Sequence, residues 1–464
     1  MMRSLFSGVS GLKSHQTRMD TIGNNIANVN TTGFKSSRTT FADTLSQTLT
    51  GASSPKDNLG GTNPKQIGLG VGVASIDLLF NDGSVQSTGK NTDLCLSGNG
   101  LFVVKQGNQT YYTRDGAFSF DAEGNYVLPS SGLFVQGWMG TDGVINTTGA
   151  ATNIKIAAGK SMPSKATATA TYANNLNASA LTIAKLSTGA NSGTATSSDP
   201  ITVTMSDGSQ ATYTSGTYTV GHSMPVTTTI TVYDSLGTSH NVPVLFEKDG
   251  TDNEWKISLG KTSIDESDGS VTEVSLTGDT VKFTENGKYT SGTASITLNY
   301  SNTGTKKKDA TGSNGAADNQ KVTLDLSQLT QYAGSSTINA TPDGNAAGTL
   351  SSVSVDSSGI ITGTYTNGVK QQEAQVAVAQ FTNASGLTKT GNSLYQESNN
   401  SGTANVKTAS DLGVTITPSA LEMSNVDIAN EFSDMIITQR GFQSNSKIIT
   451  VGDEMLETVI NMKR

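Results

Sequence analysis

The chain begins with the stretch MMRSLFSGVSGLKSHQTRMDTIGNNIANVN, residues 1–30, in which apolar residues recur every seven positions. Such a repeat is typical of a helix that packs along one seam against another helix. The Asn and Gly residues of 28–33 are typical of a helix end. The sequence therefore predicts a helix over residues 1–30 with a seam formed by Leu5, Leu12, Met19, Ile22 and Ile26.

The other end of the chain has a similar pattern. Ser424 and Asp427 have the spacing of a capping box, and no proline follows Pro418. A helix of about 36 residues, roughly 54 Å long, is therefore predicted to close the sequence. Its predicted seam consists of Ile428, Phe432, Met435, Phe442, Ile449 and Leu456.

Each predicted helix needs a partner for its seam, and the simplest partner is the other helix. Charge agrees weakly with this pairing. Residues 1–30 hold three basic and one acidic residue, a net of +2, and residues 422–464 hold seven acidic and four basic residues, a net of −3. Exposed ion pairs contribute little to stability, so charge would bias the pairing without causing it.

A pair of helices leaves apolar side chains outside its seam. We expect these residues to be buried by neighbouring subunits, because large exposed apolar patches usually mark interaction sites. They are Phe6, Val9, Met423, Val426, Ile436, Ile448, Met455, Val459 and Met462.

Between its ends, the chain of 464 residues has the composition of a turn-rich β protein, with 50 Gly, 9 Pro and 15% charged residues. Short β-branched runs such as 71–79 and 227–233 end at turn sequences such as Asn81-Asp82-Gly83. The single Cys excludes a disulfide framework. The predicted fold class is mainly β with α-helical termini, in which terminal coiled-coil helices enclose nested β domains.

Composition also predicts the domain organisation. The terminal segments 1–30 and 419–464 are predicted to form one helical domain, and the polar segment 31–70 a linker. An inner β domain is predicted in two parts, 71–148 and 351–418. The Ser- and Thr-rich segment 149–350 between these parts is predicted to be an inserted outer β domain, formed by one domain or by two subdomains.

Several function classes lack support in the sequence. The net charge of −8 argues against nucleic-acid binding. The absence of a run of 18 apolar residues argues against membrane insertion, and the interrupted N-terminus predicts no cleaved signal peptide. One Cys and three scattered His do not form a zinc ligand set. We therefore expect no cofactor and no enzymatic activity.

The potentially reactive residues have ordinary explanations. His15 lies at a seam position, and His222 and His240 lie in turn-like contexts, so all three are predicted to be solvated or capping residues. No G-x-S-x-G nucleophile motif accompanies them. Cys95 lies in a strand-like run and is predicted to be a buried thiol.

The segment GNNIANVNTTGFK, residues 23–35, resembles the signature of the bacterial flagellar rod and hook proteins. Residues 424–427 and 435–445 are similar to the opposite end of that family, and residues 93–104 and 112–120 resemble its inner β domain. The positions that match the signature most directly are Asn24, Asn25, Ala27, Asn28, Gly33 and Phe34.

The long insertion favours the hook members of this family over the shorter rod members. Residues 229–237, TITVYDSLG, and 253–255 resemble the outer domain of hook members. Two features depart from the pattern: Cys95 replaces a small aliphatic residue, and residues 178–225 exceed a minimal outer domain. Some members cross-link subunits through an outer-domain Cys, which this chain lacks, so that linkage is not expected.

The resemblance implies a structural subunit that assembles with copies of itself into a flexible, curved helical tube, a universal joint between the rod and the filament. The terminal helices would form its inner layer. The implied partners are the distal rod protein, the hook cap, the hook–filament junction proteins and the flagellar type III export apparatus. The implied location is the hook and basal body of the flagellum, outside the cell, after export without a cleaved signal peptide.

Other functions stay open at this stage. A cap, scaffold or other axial protein of the same export system would share the terminal motifs. A secreted adhesin or glycan binder with helical ends, and more distantly a glycosidase, would share the β-rich composition without explaining those motifs.

Overall fold

The computed structural model describes residues 2–55, 60–251, 253–265, 271–300 and 319–462. It contains two compact units. The first unit comprises Met1–Lys160, Ser351–Thr364 and Lys370–Arg464, and the second comprises Ser161–Leu350 and Tyr365–Val369. The domain boundaries that composition places near residues 148 and 350 stay a prediction.

The terminal helices are α1, Met2–Ala27, and α2, Ile428–Met462, which confirms the predicted helical ends. The predicted capping box is wrong. Asp427 is the N-cap residue, because its Oδ1 accepts the N–H groups of Ala429 at 2.9 Å and Asn430 at 3.3 Å. Ser424 lies before the helix, where its Oγ accepts the Val426 N–H at 3.3 Å.

The strands between the helices range from two to 13 residues in length. Up to residue 160 they are β1 Ser37–Asp43, β2 Ser46–Thr50, β3 Lys65–Gly68, β4 Val71–Leu78, β5 Val85–Ser87, β6 Leu94–Ser97, β7 Leu101–Gln106, β8 Gln109–Thr113, β9 Ser119–Phe120, β10 Tyr126–Leu128, β11 Leu133–Thr141, β12 Val144–Ile145 and β13 Thr152–Asn153. From residue 161 to 300 they are β14 Ser161–Met162, β15 Thr169–Asn177, β16 Ile183–Leu186, β17 Ser192–Ala195, β18 Ile201–Met205, β19 Gln210–Tyr213, β20 Gly216–Thr219, β21 Val226–Tyr233, β22 Ser239–Lys248, β23 Glu254–Leu259, β24 Ser263–Asp265, β25 Val271–Thr277, β26 Thr280–Phe283, β27 Tyr289–Ser291 and β28 Ala294–Asn299. The rest are β29 Gln320–Tyr332, β30 Asn339–Pro342, β31 Gly348–Val355, β32 Ile360–Tyr365, β33 Lys370–Val376, β34 Val378–Gln380, β35 Thr388–Gly391, β36 Leu394–Gln396, β37 Asn405–Lys407, β38 Thr415–Pro418 and β39 Ala420–Glu422, with a short 3₁₀ helix at Ala384–Gly386.

The segment 31–70 is more structured than its predicted role as a linker implies. Strand β1 pairs antiparallel with β4, and β2 pairs with β3. Every residue of β2 and β3 is exposed, so these strands show no apolar alternation for sequence analysis to detect.

The first unit contains a mixed set of short antiparallel strands. Strands β32, β33, β11, β7, β8, β36 and β35 are neighbours in that order. Strand β6 pairs with β38, and β5 pairs with β39. The strands just before α2 therefore lie beside the two strands that follow β4. The core includes Leu101, Val103, Tyr112, Trp138 and Tyr395.

The second unit is a sandwich of two sheets. One has the strand order β24-β25-β28-β29-β15-β30 and the other β21-β22-β23-β26-β27. Both sheets contribute to a sealed core that includes Tyr172, Phe246, Trp255 and Leu298. Alternating buried and exposed residues along β21 and β22 are what a sheet with one packed face requires.

A smaller part of the second unit has its own hydrophobic cluster. We call strands β16–β20, Ile183–Thr219, the β16–β20 subdomain. Its sheets β16-β18-β19 and β17-β20 enclose a cluster that consists mainly of Ile183, Leu186, Ile201, Val203 and Tyr218. The subdomain falls within the segment 178–225 that exceeds a minimal outer domain.

Candidate assembly surface

Helices α1 and α2 pack antiparallel. In the second half of α1, Arg18 Nη2 lies 3.0 Å from Asp434 Oδ2, which is near the start of α2. Near the start of α1, Leu5 packs against Gly452 in the second half of α2, where an added Cβ would lie 2.8 Å from Leu5 Cδ2. Contacts therefore run in opposite directions along the two helices. The first residues of the chain lie beside the distal half of α2.

Small residues set the distance between these helices. A Cβ added to Gly11 would lie 2.7 Å from Asn445 Nδ2, and one added to Gly441 would lie 2.7 Å from His15 Cε1. A glycine inside a helix costs about 1 kcal/mol relative to Ala. The side chains of Asn445 and His15 occupy the space that a Cβ would need, so these glycines have a packing role that offsets part of that cost.

The structure places the predicted seam residues in two different environments. On α1, Ile22 is buried, and the partly buried residues are Leu5, Leu12, Met19 and Ile26. On α2, the partly buried residues are Met435, Ile449 and Leu456, whereas the exposed ones are Ile428, Phe432 and Phe442. The residues of α2 that are fully buried are Thr438 and Gly452, which sequence analysis did not assign to the seam.

Helix α1 is also covered on a second side. Ser14 Oγ donates to the Val71 carbonyl of β4 at 3.3 Å, and Thr39 Oγ1 of β1 donates to Thr21 Oγ1 at 3.0 Å. The strands β1 and β4 thus cover a face of α1. We find no comparable cover for α2 in the described part of the first unit, which explains why so many of its apolar residues are exposed.

The exposed apolar residues of α2 form two flanks beside its α1-facing side, as a helix turning about 100° per residue requires. The first flank consists of Ile428, Phe432, Ile436, Phe442 and Ile460. The second flank consists of Ile437, Ile448, Val451, Met455, Val459 and Met462. Phe6 and Val9 of α1 are exposed as well.

A buried ion cluster joins the segment after α1 to the segment before α2. Lys35 Nζ lies 2.7 Å from Glu422 Oε1, and Arg114 Nη1 lies 3.2 Å from Glu422 Oε2. All three side chains are only 1% exposed. Asp82 Oδ1, 3.3 Å from Arg114 Nη1, supplies a second negative charge, so two acidic groups balance two basic groups.

Backbone groups complete the cluster. Lys35 Nζ donates to the Asn81 carbonyl at 2.6 Å, and Glu422 Oε1 accepts the Gly83 N–H at 2.9 Å. Burial and the neighbouring Arg114 lower the pKa of Lys35, and Glu422 opposes that shift. Removing one partner of a buried ion pair typically costs about 3–5 kcal/mol, because the remaining charge is left buried and uncompensated. The cluster therefore requires that these segments, distant in sequence, stay together in the folded unit.

Two asparagines hold the backbone that lies between α1 and β1. Asn25 Oδ1 accepts the Ser37 N–H at 3.0 Å, and its Nδ2 donates to the Ser37 carbonyl at 2.9 Å and to Glu431 Oε1 at 2.9 Å. Asn425 Oδ1 accepts the neighbouring Ser36 N–H at 2.8 Å. One asparagine from each end of the chain therefore fixes the same extended segment.

The other motif residues surround this segment. Asn28 Nδ2 donates to the Asn24 carbonyl at 2.8 Å and closes the last turn of α1, where Ala27 is exposed. Gly33 has φ +64°, and a Cβ there would lie 2.4 Å from the Asp115 nitrogen, so a residue without a side chain is required. Phe34 is buried, with Lys389 Nζ 3.8 Å from its ring centroid.

Sequence analysis missed Glu422 and the ion cluster. The available signal was the presence of Lys35 and Arg114 inside two motif stretches of a chain with few charges. Cys95 is buried as predicted, and burial, followed by the charge of Glu422, raises its pKa to about 11. Its thiol is therefore protonated at neutral pH.

The histidines differ from the prediction of solvated or capping residues. His222 is only 16% exposed and lies between two carboxylates, with Nδ1 3.4 Å from Glu247 Oε2 and Nε2 3.2 Å from Asp249 Oδ1. His240 is not solvated: it is buried in β22, with Nε2 3.5 Å from Asp234 Oδ2. His15 lies in the helix pair, where burial and the nearby Arg18 lower its pKa. Within the described ranges, no group of three or more His, Cys, Asp or Glu is arranged to hold a metal ion. None of the helices described is long and apolar enough to span a membrane.

Four family models match successive parts of the chain. They are "Flagella basal body rod protein" at residues 5–35, "Flagellar hook protein FlgE/F/G D1 domain" at 95–169, "Flagellar basal body protein FlaE D2 domain" at 222–345 and "Flagellar basal body rod FlgEFG protein C-terminal" at 417–462. The paired terminal helices and the β units between them thus define an axial structural protein of the bacterial flagellum.

Full-length relatives narrow this class. The chain is 39% identical to the flagellar hook protein FlgE of Treponema pallidum and 37% identical to that of Borreliella burgdorferi, with 100% of each chain covered in both comparisons. It is 28% identical to the flagellar basal-body rod protein FlgG of Bacillus subtilis, again over 100% of both chains. The chain belongs to the flagellar hook protein family.

Proposed function

We propose that this chain is the subunit of a helical tube, the curved and flexible hook between rod and filament, and that the terminal helices form its inner layer. The observation that carries the proposal is the pair of apolar flanks on α2. Side chains such as Phe432 and Ile436 are 50% and 58% exposed. Burying the exposed half of such a side chain contributes roughly 1 kcal/mol.

We propose that neighbouring copies of this chain cover the apolar side chains of these flanks. The two flanks lie on different sides of α2, so one copy can contact two others through different surfaces. Contacts between unlike surfaces form a ring if the rotation between copies closes and an open helical polymer if it does not, and we propose the open polymer here. The seam residues and the signature residues Asn24, Asn25, Ala27, Asn28, Gly33 and Phe34 would hold the helices in the orientation that this contact needs.

The same proposal covers the partners and the location. We expect the ends of the polymer to meet the distal rod protein, the hook cap and the hook–filament junction proteins. We expect the chain to leave the cell through the flagellar type III export apparatus without cleavage of a signal peptide. We expect no cofactor and no catalysis, because the relatives with this architecture are structural proteins.

The test replaces an exposed apolar residue of the first flank by a charge. Phe442→Asp should leave the β strands folded, because Phe442 lies on α2, and it should abolish tube formation under assembly conditions in electron microscopy. The matched control is Val144→Asp in β12, which is 72% exposed and lies outside the terminal helices. Tubes of normal length from Phe442→Asp would refute the role of the flanks.

A rod or scaffold role is the second candidate, and the full-length similarity to a rod protein favours it. The two roles differ in copy number and in location. Immunogold labelling of isolated flagella should mark the whole hook if this chain is its subunit. Labelling confined to the basal body would favour the rod role.

A further inference from the structure

Strands β2 and β3 form a two-stranded ribbon that continues from the β1–β4 pair. Between the two pairs of strands the Leu69 N–H donates to the Leu45 carbonyl at 2.9 Å, so the antiparallel ladder is not interrupted. Further along, Gln47 pairs with Ile67 in the same register. We call β2 and β3, together with these two leucines, the ribbon arm.

One face of the ribbon arm is apolar. Residues directly opposite each other in a ladder, and residues two apart on one strand, lie on the same face. Leu45, Leu49 and Ile67 therefore share one face, and they are 64%, 53% and 41% exposed. Strand β2 supplies only Leu49 and β3 only Ile67, so this face is formed by the pairing and is not visible in either strand alone.

The same face of the ribbon packs against a helix beside β1 and β4. The register is unchanged from Phe41 to Gln47, so Phe41 and Leu45 lie on one face. The centroids of the Phe41 ring and of the His15 ring of α1 are 6.0 Å apart. The face that α1 covers in the first half of the ribbon thus continues as the exposed apolar face of the ribbon arm. Its first half shows that such a face accepts a helix.

The second flank of α2 matches this face in length and in pattern. From Ile448 to Met462 its residues recur three or four positions apart, so they form one continuous stripe along the helix. Ile448 and Val459 are roughly 16 Å apart along the helix axis, and the ribbon arm extends about 16 Å from Leu45 to Thr50. The first flank has no such stripe, because its members are unevenly spaced along α2.

Charge supports the same pairing. Lys65 lies two residues before Ile67 on β3, hence on the apolar face of the ribbon arm, and it is exposed. Glu454 of α2 is also exposed, and it lies beside the second flank, three residues after Val451. Opposite charges at the edges of two apolar surfaces favour one orientation of the contact over the others.

We propose that the apolar face of the ribbon arm docks on the second flank of α2 in a second copy of this chain, with Lys65 beside Glu454 of that copy. The proposal rests on the assembly proposed above and names one of its contacts. The two surfaces are unlike and both are exposed in a single chain. The contact is therefore of the head-to-tail kind, which adds copies in one direction.

Cross-linking in mixed tubes tests this contact. Ile67→Cys and Met455→Cys are prepared as separate chains in a Cys95→Ala background and mixed before assembly, so a product containing one chain of each arises only between copies. Both positions are exposed, at 41% and 46%, so the fold should be retained. With a short bis-maleimide we expect about ten-fold more mixed product in tubes than in the unassembled mixture, because the contact raises the effective concentration of the two thiols.

The matched control uses Ile436→Cys, in the first flank, in place of Met455→Cys. Tubes that give as much mixed product with Ile436→Cys as with Met455→Cys, or none with either, would overturn the docking and leave the assembly in place. Failure of the unmodified chain to form tubes would refute the assembly, and this contact with it.

A charge exchange supplies a second measurement without cysteines. Lys65→Glu and Glu454→Lys should each raise the critical concentration for assembly by about three-fold, the size expected for an exposed ion pair. The double variant should restore the wild-type value, because the pair is formed again with its charges exchanged. A double variant that assembles no better than the single ones would overturn the proposed orientation of the ribbon arm.

Discussion

Two phenylalanines illustrate two environments for apolar side chains in this molecule. Phe246 lies in the sandwich of the second unit and is fully buried, whereas Phe432 lies on α2 and is 50% exposed. The sandwich buries its apolar residues between its own sheets. The helix pair buries only the residues along the contact between α1 and α2. The same type of residue therefore stabilises the fold in one region and, on our proposal, contacts neighbouring copies in the other.

The largest loss of stability is expected from a substitution in the core of the sandwich. Phe246→Ala should destabilise the second unit by about 4 kcal/mol, because truncating a buried phenylalanine removes apolar contacts and leaves a cavity. The chain has two Trp, Trp138 in the first unit and Trp255 in the second. Denaturant unfolding in a Trp138→Phe background, followed by Trp255 fluorescence, therefore reports on the second unit.

The matched control is Phe432→Ala, read from Trp138 in a Trp255→Phe background. Its effect on stability should stay within about 0.5 kcal/mol, as for most exposed positions. A loss of several kcal/mol from Phe432→Ala would mean that the exposed flank stabilises the single chain.

The next effect is expected at the ion cluster of the first unit. Glu422→Gln removes the charge between Lys35 and Arg114 and should cost about 3 kcal/mol, because two buried basic groups lose their shared partner. The measurement is unfolding followed by Trp138 fluorescence in the Trp255→Phe background. Glu123→Gln is the control, because Glu123 faces Lys155 at 3.8 Å with both side chains mostly exposed. Equal stability losses from the two variants would contradict the role of the cluster in holding these segments together.

The smallest changes in stability are expected from glycine substitutions in the two terminal helices. Gly441→Ala should destabilise the helices by about 1 kcal/mol, because overlap with His15 exceeds the gain in helix propensity. Gly23→Ala should have the opposite sign and stabilise by up to about 1 kcal/mol, since no described atom lies within 4 Å of a Cβ there. Thermal loss of the circular dichroism signal at 222 nm measures both. Equal shifts in the same direction would rule out the close approach at Gly441.

Local pattern made much of this architecture predictable. The seven-residue repeats predicted both terminal helices, and strand patterning with turn residues predicted the β middle, because both signals depend on neighbours in the sequence. Strands β2 and β3 of segment 31–70 were missed because all their residues are exposed and show no apolar alternation. The N-cap was misplaced because Ser424 and Asp427 are both good capping residues, and only geometry shows which oxygen meets the free N–H groups.

The contact surfaces were less predictable, since they depend on residues far apart in the sequence. Nothing near Glu422 indicates that it meets Lys35 and Arg114. On α2, bulk and hydrophobicity favoured Phe432 and Phe442 as seam residues. The buried positions are instead Thr438 and Gly452, and the Leu5 side chain packs over Gly452. The role of the predicted seam and signature residues in assembly stays a prediction.

The pairing of two helices that lie far apart in the sequence also has a consequence during synthesis. Asn25 and its partner Glu431 are 406 residues apart in the chain. At translation rates of about 5–20 residues per second, α1 waits roughly 20–80 s before its partner helix has been made. During that time its apolar seam lacks α2, the helix against which it packs. Any factor in the cell that protects the nascent chain from aggregation would therefore act first on residues 2–27.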